Sequence, residues 1–291
     1  MSLILKQTSR ANTPVKIYAC SRRGNTSIPK TDPSKVSIVN QTLDIASSSS
    51  IQSFAKKVAQ DDGHVDVLIN NAGINDLDTS SGVSASDVVG VNYGGTKEMC
   101  ETFLPLLAKS PNAEKGDARI VNLSSVASEL DDKYSPEMCK RFRDEKMTSD
   151  GLQGLVQSYL VKAGQGGKEQ EKAGFGNANG YCFSKASVNA LTAVLARQTK
   201  KERSGVLVNC CCPGWVDTEM GGIMGKPPKS PGKSFSFVEM RFCWILMLIS
   251  WIEDGARIPF KLGFGDVGGI SGRYWSNPGI SDRADGSVTE W

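Results

Sequence analysis

Tyr181 and Lys185 lie four positions apart in the segment YCFSK. On an α-helix this spacing places the phenol and the ammonium group on one face. An isolated tyrosine has a pKa of about 10 and is a poor acid or base at neutral pH, but a neighbouring cation favours the phenolate and lowers that pKa. The pair is therefore predicted to transfer a proton to a carbonyl oxygen. A packed tyrosine beside a solvated lysine is the alternative that the spacing alone leaves open.

Other polar groups stand where predicted strands end or helices begin. Ser125 follows the strand Arg119–Leu123, where its hydroxyl could hold a substrate oxygen, and Asn92 lies early in a predicted helix. The segment Asn70-Asn71-Ala72-Gly73 also ends a strand, and its small residues let a ligand approach the backbone. A further segment, Pro213 to Thr218, follows the fifth predicted strand.

Apolar runs and helical spacing alternate along the chain. The predicted strands are Val15–Cys20, Val36–Asp44, Val65–Ile69, Arg119–Leu123, Gly205–Cys211 and Gly269–Trp275. The predicted helices are Ile51–Val58, Ser86–Leu107 and Tyr181–Arg203. Strands separated by helices indicate an α/β fold with a parallel sheet and helices on both faces. In such a sheet the ligand sits at the carboxyl ends of the strands, where all of these motifs fall.

In this order, the motifs resemble those of the short-chain dehydrogenase/reductase family over about residues 15–232 and 253–291. The resemblance implies a Rossmann-like, doubly wound parallel sheet. It also implies that Ser125, Tyr181 and Lys185 form a catalytic triad, with Ser125 positioning the substrate oxygen, and that Asn92 completes a tetrad by holding a water in the proton relay. Ser124 is less suitable as the catalytic serine, because the family uses the second serine of the pair Ser124-Ser125.

The same resemblance implies a set of ligand contacts. Asn71, Ala72 and Gly73 would line the adenosine side of the cofactor, and Lys185 would also bind the nicotinamide ribose beside Tyr181. The remaining expected contacts are Asp44 and Ile45 for the adenine, Val216 and Thr218 for the nicotinamide carboxamide, and Trp215 and Met220 for the substrate.

The charge near the second family strand distinguishes between the two nicotinamide cofactors. NAD-dependent sheets place an acidic residue there to bond the ribose 2′-hydroxyl, whereas NADP requires a cation. This sequence has Arg22-Arg23 and no acid, and a guanidinium group matches a phosphate bidentately. We therefore predict NADP(H), with Arg22 as the main contact; two exposed arginines without a ligand are the alternative.

Tyr181 follows Ser125 by 56 positions, which is more than in most members of the family. The long interval and the segment Cys-Cys-Pro-Gly-Trp at 211–215 resemble the carbonyl reductases that act as monomers. In that branch, inserted helices cover the face that other members use to associate, and residues 135–143 fit such an insertion. A solvated surface excursion is the alternative.

Two segments depart from the family pattern. The family opens with a strand and a Thr-Gly-x-x-x-Gly-x-Gly loop, whereas Ser2–Gln7 reads like the following helix. We therefore expect the first strand and the glycine-rich loop, which would bring N–H groups to the pyrophosphate, to be missing. We also expect residues 233–252 to be a foreign segment, such as a translated intron. The rival interpretation is a real apolar helix for membrane contact or a substrate lid, although the run Phe242–Ile252 is shorter than the roughly 20 residues that span a bilayer.

Composition limits the remaining possibilities. The 291 residues, 39% of them hydrophobic, suit one α/β domain over residues 1–291. The net charge of +3 and the absence of clustered Lys/Arg and aromatic residues argue against nucleic acid. Eight cysteines without a Cys-x-x-Cys pair, and a single histidine, His64, indicate reduced thiols in a cytoplasmic protein and no metal site.

Together these features predict a monomeric, cytoplasmic enzyme that transfers a hydride from NADPH to a ketone, aldehyde or quinone. A membrane partner is not expected. Two other functions stay open at this stage. One is a catalytically impaired family member that acts, if at all, as a binding protein, and the other is a membrane-associated reductase anchored by residues 235–252.

Overall fold

The computed structural model describes residues 14–26, 32, 34–76, 82–214, 255–278 and 284–291. Strands and helices alternate through these ranges. The strands are β1 (Val15–Ser21), β2 (Val36–Thr42), β3 (Val67–Asn70), β4 (Arg119–Leu123), β5 (Leu207–Cys211), β6 (Tyr274–Ser276) and β7 (Ser287–Thr289). The α-helices are α1 (Ser48–Asp61), α2 (Ala85–Val89), α3 (Thr96–Leu107), α4 (Pro136–Phe142), α5 (Ser149–Gly164), α6 (Gly167–Gln170), α7 (Gly180–Glu202) and α8 (Arg257–Phe264).

The strands form two sheets. In the first, β1 pairs in parallel with β2, in a register that joins Val15 to Val36. In the second, the order is β3-β4-β5-β6-β7, and each pair is parallel except the last, which is antiparallel. No ladder joins β1 to β3 in the part of the chain that the structure describes. The predicted absence of a strand and a glycine-rich loop ahead of β1 stays a prediction.

Helices cover both faces of the second sheet, because successive side chains of a strand point to opposite faces. In β4, Ile120 belongs to the main apolar core, which also contains Leu191 of α7. The next residue, Val121, belongs to a separate core with Ile258 and Leu262 of α8. The doubly wound α/β architecture expected from the sequence is therefore observed.

Several element boundaries differ from those predicted. The predicted helix Ser86–Leu107 is divided by a π-helical segment, Gly90–Gly95, between α2 and α3. The predicted last strand is reduced to β6, because Gly269 and Gly272 have positive φ angles that a strand does not accommodate. β7 was not expected from the sequence.

The interval between Ser125 and Tyr181 packs against the core. Tyr159 of α5 stacks on Phe183 of α7 with ring centroids 3.8 Å apart, and Phe175 and Phe142 meet Phe183 edge-on. Gln170 of α6 donates to the carbonyl of Ala178 at 2.8 Å. Helices α4 to α6 therefore cover α7, and a solvated excursion is not what the structure shows.

Residues 233–252, predicted to be a foreign segment within a single domain, lie outside the described residues, as does the apolar run Phe242–Ile252. Among the helices that the structure does describe, none is both long and apolar enough to cross a bilayer.

Candidate active site

The first turns of α7 bring Tyr181 and Lys185 together as the spacing predicts. The Lys185 Nζ atom lies 5.6 Å from the centroid of the Tyr181 ring and donates to the carbonyl of Leu123, the last residue of β4, at 2.8 Å. Only 6% of the Lys185 surface is exposed. This burial lowers the pKa of the ammonium group to about 8.

The environment of Tyr181 differs in one respect from the sequence-based expectation. Burial of the phenol raises its pKa above the ordinary value, and the nearby Ser125 side chain opposes that rise. The net lowering of this pKa that the sequence predicts is not found, because the loss of hydration by the buried phenol outweighs the influences that favour the phenolate. At neutral pH Tyr181 is therefore protonated, as a proton donor must be.

Ser125 is held in place by α7. It begins the short 3₁₀ turn Val126–Ser128, and its hydroxyl accepts from the Ala127 N–H at 3.1 Å. Ser128 Oγ donates to the Ser125 carbonyl at 2.6 Å and accepts from Asn189 Nδ2 at 2.8 Å. The hydroxyl of the neighbouring Ser124 is instead buried and donates to the Lys185 carbonyl at 3.3 Å. This difference supports Ser125 as the serine that meets a ligand.

Asn92 lies in the π-helical segment, and its side chain is 1% exposed. Its amide group donates to the Ile74 carbonyl at 2.9 Å and to Ser184 Oγ at 3.0 Å, and accepts from the Ile74 N–H at 2.8 Å. Asn92 thus clamps the loop after β3 to α7. Both hydrogens of the Asn92 side-chain amide are already donated. A relay water bound to Asn92 would therefore have to donate a hydrogen bond to one of its oxygen atoms.

The predicted cofactor loop after β3 approaches the same group. Asn71 and Ala72 are exposed, and Gly73 is half-buried. A Cβ atom on Gly73 would lie 3.0 Å from Asn92 Oδ1 and 3.6 Å from Lys185 Nζ. The absence of a side chain therefore lets the backbone of this loop lie close to Asn92 and Lys185.

The residues after β1 and β2 form the other part of the predicted cofactor site. Asp44 Oδ1 accepts from the Ala46 N–H at 3.0 Å, which fixes the turn that carries Ile45. A Cβ atom on Gly95 would lie 2.5 Å from the Ile45 carbonyl oxygen, so this turn rests on the π-helical segment that contains Asn92. Arg22 lies exposed in the turn after β1.

Four predicted contact residues, Trp215, Val216, Thr218 and Met220, lie outside the described residues. The structure adds others that the sequence analysis missed. Asn189 could have been found from the sequence, because it follows Lys185 by the same four positions that separate Lys185 from Tyr181. No sequence pattern pointed to Asp76, which contacts the start of α7, since it is more than a hundred positions away from that helix in the sequence.

Among the described residues, no group of three or more potential ligands could hold a metal ion.

Comparison with known proteins shows the family to which the chain belongs. The family model for short chain dehydrogenase matches residues 9–135 and 169–227. A curated relative, carbonyl reductase (NADPH) 1 of Mus musculus, is 35% identical over 216 residues, which are 72% of this chain and 73% of that protein. The chain belongs to the short chain dehydrogenase family. It is carbonyl reductase-like in sequence, and the interval between the two matched ranges contains α4 and α5.

Solved structures of this family share the fold. Salutaridine reductase from Papaver somniferum is 26% identical, with a TM-score of 0.52, over 64% of this chain and 71% of that chain. The NADPH-bound carbonyl reductase from chicken fatty liver is 20% identical, with a TM-score of 0.58, over 99% of this chain and 93% of that chain. The Rossmann-like fold predicted from the sequence is confirmed.

The burial of Lys185 leads to a prediction about stability. The folded protein releases the Lys185 proton near pH 8, whereas the unfolded chain holds it until about pH 10.5. The folded state therefore carries the cost of the buried charge below pH 8, and this cost disappears as the pH rises to 10.5. Lys185→Met avoids that cost at every pH. We expect its free energy of unfolding relative to wild type to fall by about 3 kcal/mol between pH 7 and pH 10.5, as measured by urea denaturation.

The control is Lys172→Met, since Lys172 is a solvent-exposed lysine. It should not reproduce the fall of about 3 kcal/mol expected for Lys185→Met. A pH-independent difference between Lys185→Met and wild type would contradict the assignment.

Proposed function

We propose that this chain is an NADPH-dependent oxidoreductase that reduces ketones, aldehydes or quinones to alcohols. The observation that carries the proposal is that Tyr181 lies beside both the Ser125 side chain and the buried Lys185. A phenol and a hydroxyl that lie side by side can both donate to the same carbonyl oxygen. This geometry suits a reaction in which that oxygen gains a proton.

In the proposed reaction, Ser125 donates a hydrogen bond to the carbonyl oxygen and fixes its position. A bound nicotinamide cofactor would supply the hydride that the carbonyl carbon requires. Tyr181 gives its proton to the oxygen, so that the C=O double bond becomes a C–OH group and the phenolate is left. The charge on Lys185 stabilises that phenolate. Asn92 keeps the loop after β3 against α7 while this happens.

The residues present fit a nicotinamide dinucleotide. Gly73 provides a stretch of backbone without a side chain beside Lys185, and Arg22 provides an exposed cation in the turn after β1. The cofactor is NADP(H), in line with the relatives that are named as NADPH carbonyl reductases. Asn71, Ala72, Asp44 and Ile45 are proposed to hold its adenosine part.

Assembly and location belong to the same proposal. Helices α4 to α6 pack over α7 and leave less of that helix for contact with another subunit, which supports a monomer. β7 pairs along β6 at the edge of the second sheet. The seven cysteines within the described ranges are free thiols, which supports a reducing compartment such as the cytoplasm. The substrate is a small molecule.

Replacement of Tyr181 by phenylalanine tests the proton donor. Tyr181→Phe keeps the ring and removes the proton, so kcat for NADPH-dependent carbonyl reduction should fall about 10²-fold to 10⁴-fold. The matched control is Tyr134→Phe, because the Tyr134 hydroxyl is buried and has no hydrogen-bond partner among the described residues. The control should keep its kcat. Near-normal turnover by Tyr181→Phe would exclude it as the acid.

Replacement of Arg22 by alanine tests cofactor selection. Arg22→Ala removes a charge that only the 2′-phosphate of NADPH would use, so the Kd for NADPH should rise about tenfold while that for NADH stays nearly unchanged. Arg23→Ala is the matched control at the neighbouring arginine. Fluorescence titration with both cofactors measures the effect. Equal weakening of NADPH and NADH binding by Arg22→Ala would mean that the arginine has a structural role.

A further inference from the structure

The N-terminus of α7 is capped by a carboxylate from a distant loop. Asp76 Oδ2 accepts from the Gly180 N–H at 2.8 Å, and Asp76 Oδ1 accepts from the Tyr181 N–H at 3.2 Å. Asn179 accepts from the next free N–H, that of Cys182, at 2.8 Å. The first N–H groups of a helix have no partner within the helix, and negative charge is favourable at that end. All three are satisfied here, two of them by Asp76.

The Tyr181 carbonyl is connected to the same loop. Ser184 Oγ donates to this carbonyl at 2.8 Å and accepts from Asn92 Nδ2 at 3.0 Å, and Asn92 in turn bonds both the N–H and the carbonyl of Ile74. The backbone of Tyr181 is thus linked to the loop after β3 on both sides. Asp76 makes the link to its N–H, and Asn92 makes the link to its carbonyl through Ser184.

The contact at Asp76 leaves no spare room. A Cβ atom on Gly180 would lie 2.8 Å from Asp76 Oδ2 and 2.7 Å from the Cα atom of Ala85, which is closer than real Cβ contacts. Glycine at the first position of α7 therefore allows the carboxylate to reach both N–H groups. The same loop after β3 also carries Gly73, which lies next to Lys185.

We propose that Asp76 is a positioning residue for the reduction. It fixes the first turn of α7, and with it the Tyr181 side chain, relative to the loop Asn71–Gly73 that is proposed to contact the cofactor. This inference rests on the proposed function, in which Tyr181 donates the proton. Displacement of a reacting group by about 1 Å can slow an enzyme about 10²-fold, so loss of the carboxylate should affect turnover more than binding.

Two substitutions of graded severity test this role. Asp76→Ala removes both acceptor oxygens, and Asp76→Asn keeps one of them in nearly the same place. We expect kcat to fall about tenfold in Asp76→Asn and about 10²-fold in Asp76→Ala, while the KM values for NADPH and for the carbonyl substrate change less than about threefold. Thermal melts recorded alongside show whether the variants are folded at the assay temperature.

Asp87→Ala is the matched control. Asp87 also belongs to a helix cap, that of α2, where it accepts from the Ser84 N–H at 2.9 Å and from Ser84 Oγ at 2.6 Å. It should keep kcat within about twofold of wild type, so that the loss of a helix cap alone does not account for the result.

The Asp76 variants and Tyr181→Phe together distinguish a failure of this inference from a failure of the proposed function. A kcat near the wild-type value in both Asp76 variants, together with an inactive Tyr181→Phe, would overturn the role of Asp76 alone. An active Tyr181→Phe would overturn the proposed function instead. Failure of both Asp76 variants to melt cooperatively, or an equal rise of KM and fall of kcat, would mean that Asp76 serves the fold and would also overturn the inference.

Discussion

Lys185 is an ionisable residue that is almost fully buried, with 6% of its surface exposed to solvent. This burial constrains the elements around it. Transfer of a charge from water into a protein interior is costly unless partners offset the loss of hydration. The described partner of Nζ is the Leu123 carbonyl at the end of β4. Helix α7 must therefore lie so that its second turn meets the end of that strand.

The same placement brings the other site residues together. Because Lys185 is fixed at the end of β4, the turn after that strand places Ser125 beside Tyr181, one helical turn before the lysine. Farther along α7, Asn189 fixes this turn through Ser128 and accepts from the Cys210 thiol at 3.3 Å. A line of buried polar contacts thus joins β5, α7 and the turn after β4. Networks of this kind stabilise a single arrangement only when every member has a partner.

Much of the fold follows from local sequence patterns. The apolar runs predict β4 with its observed boundaries and β1 to within one residue, because each is a short apolar segment that ends in a polar turn. The four-residue spacing of Tyr181 and Lys185 predicts a shared helix face, which the structure confirms. The π-helical segment and β7 were not predicted, since each depends on contacts with distant parts of the chain.

The protonation behaviour of the site residues is harder to predict from the sequence than the identity of those residues. The pKa of Tyr181 depends on how completely the phenol is buried and on where the Lys185 ammonium group is directed, and neither is encoded in their spacing. The contact between Asp76 and the start of α7 likewise depends on tertiary structure. The family resemblance predicts which groups act, whereas the structure shows how these groups are held.

The central claim is that Tyr181 and Ser125 act on one carbonyl oxygen. A crystal structure of the chain with NADP⁺ and a ketone tests it most directly. The account predicts that the ketone oxygen lies about 3 Å from both Tyr181 Oη and Ser125 Oγ, with the nicotinamide next to the carbonyl carbon. A complex in which the cofactor is bound, but the ketone oxygen contacts neither hydroxyl, would contradict it.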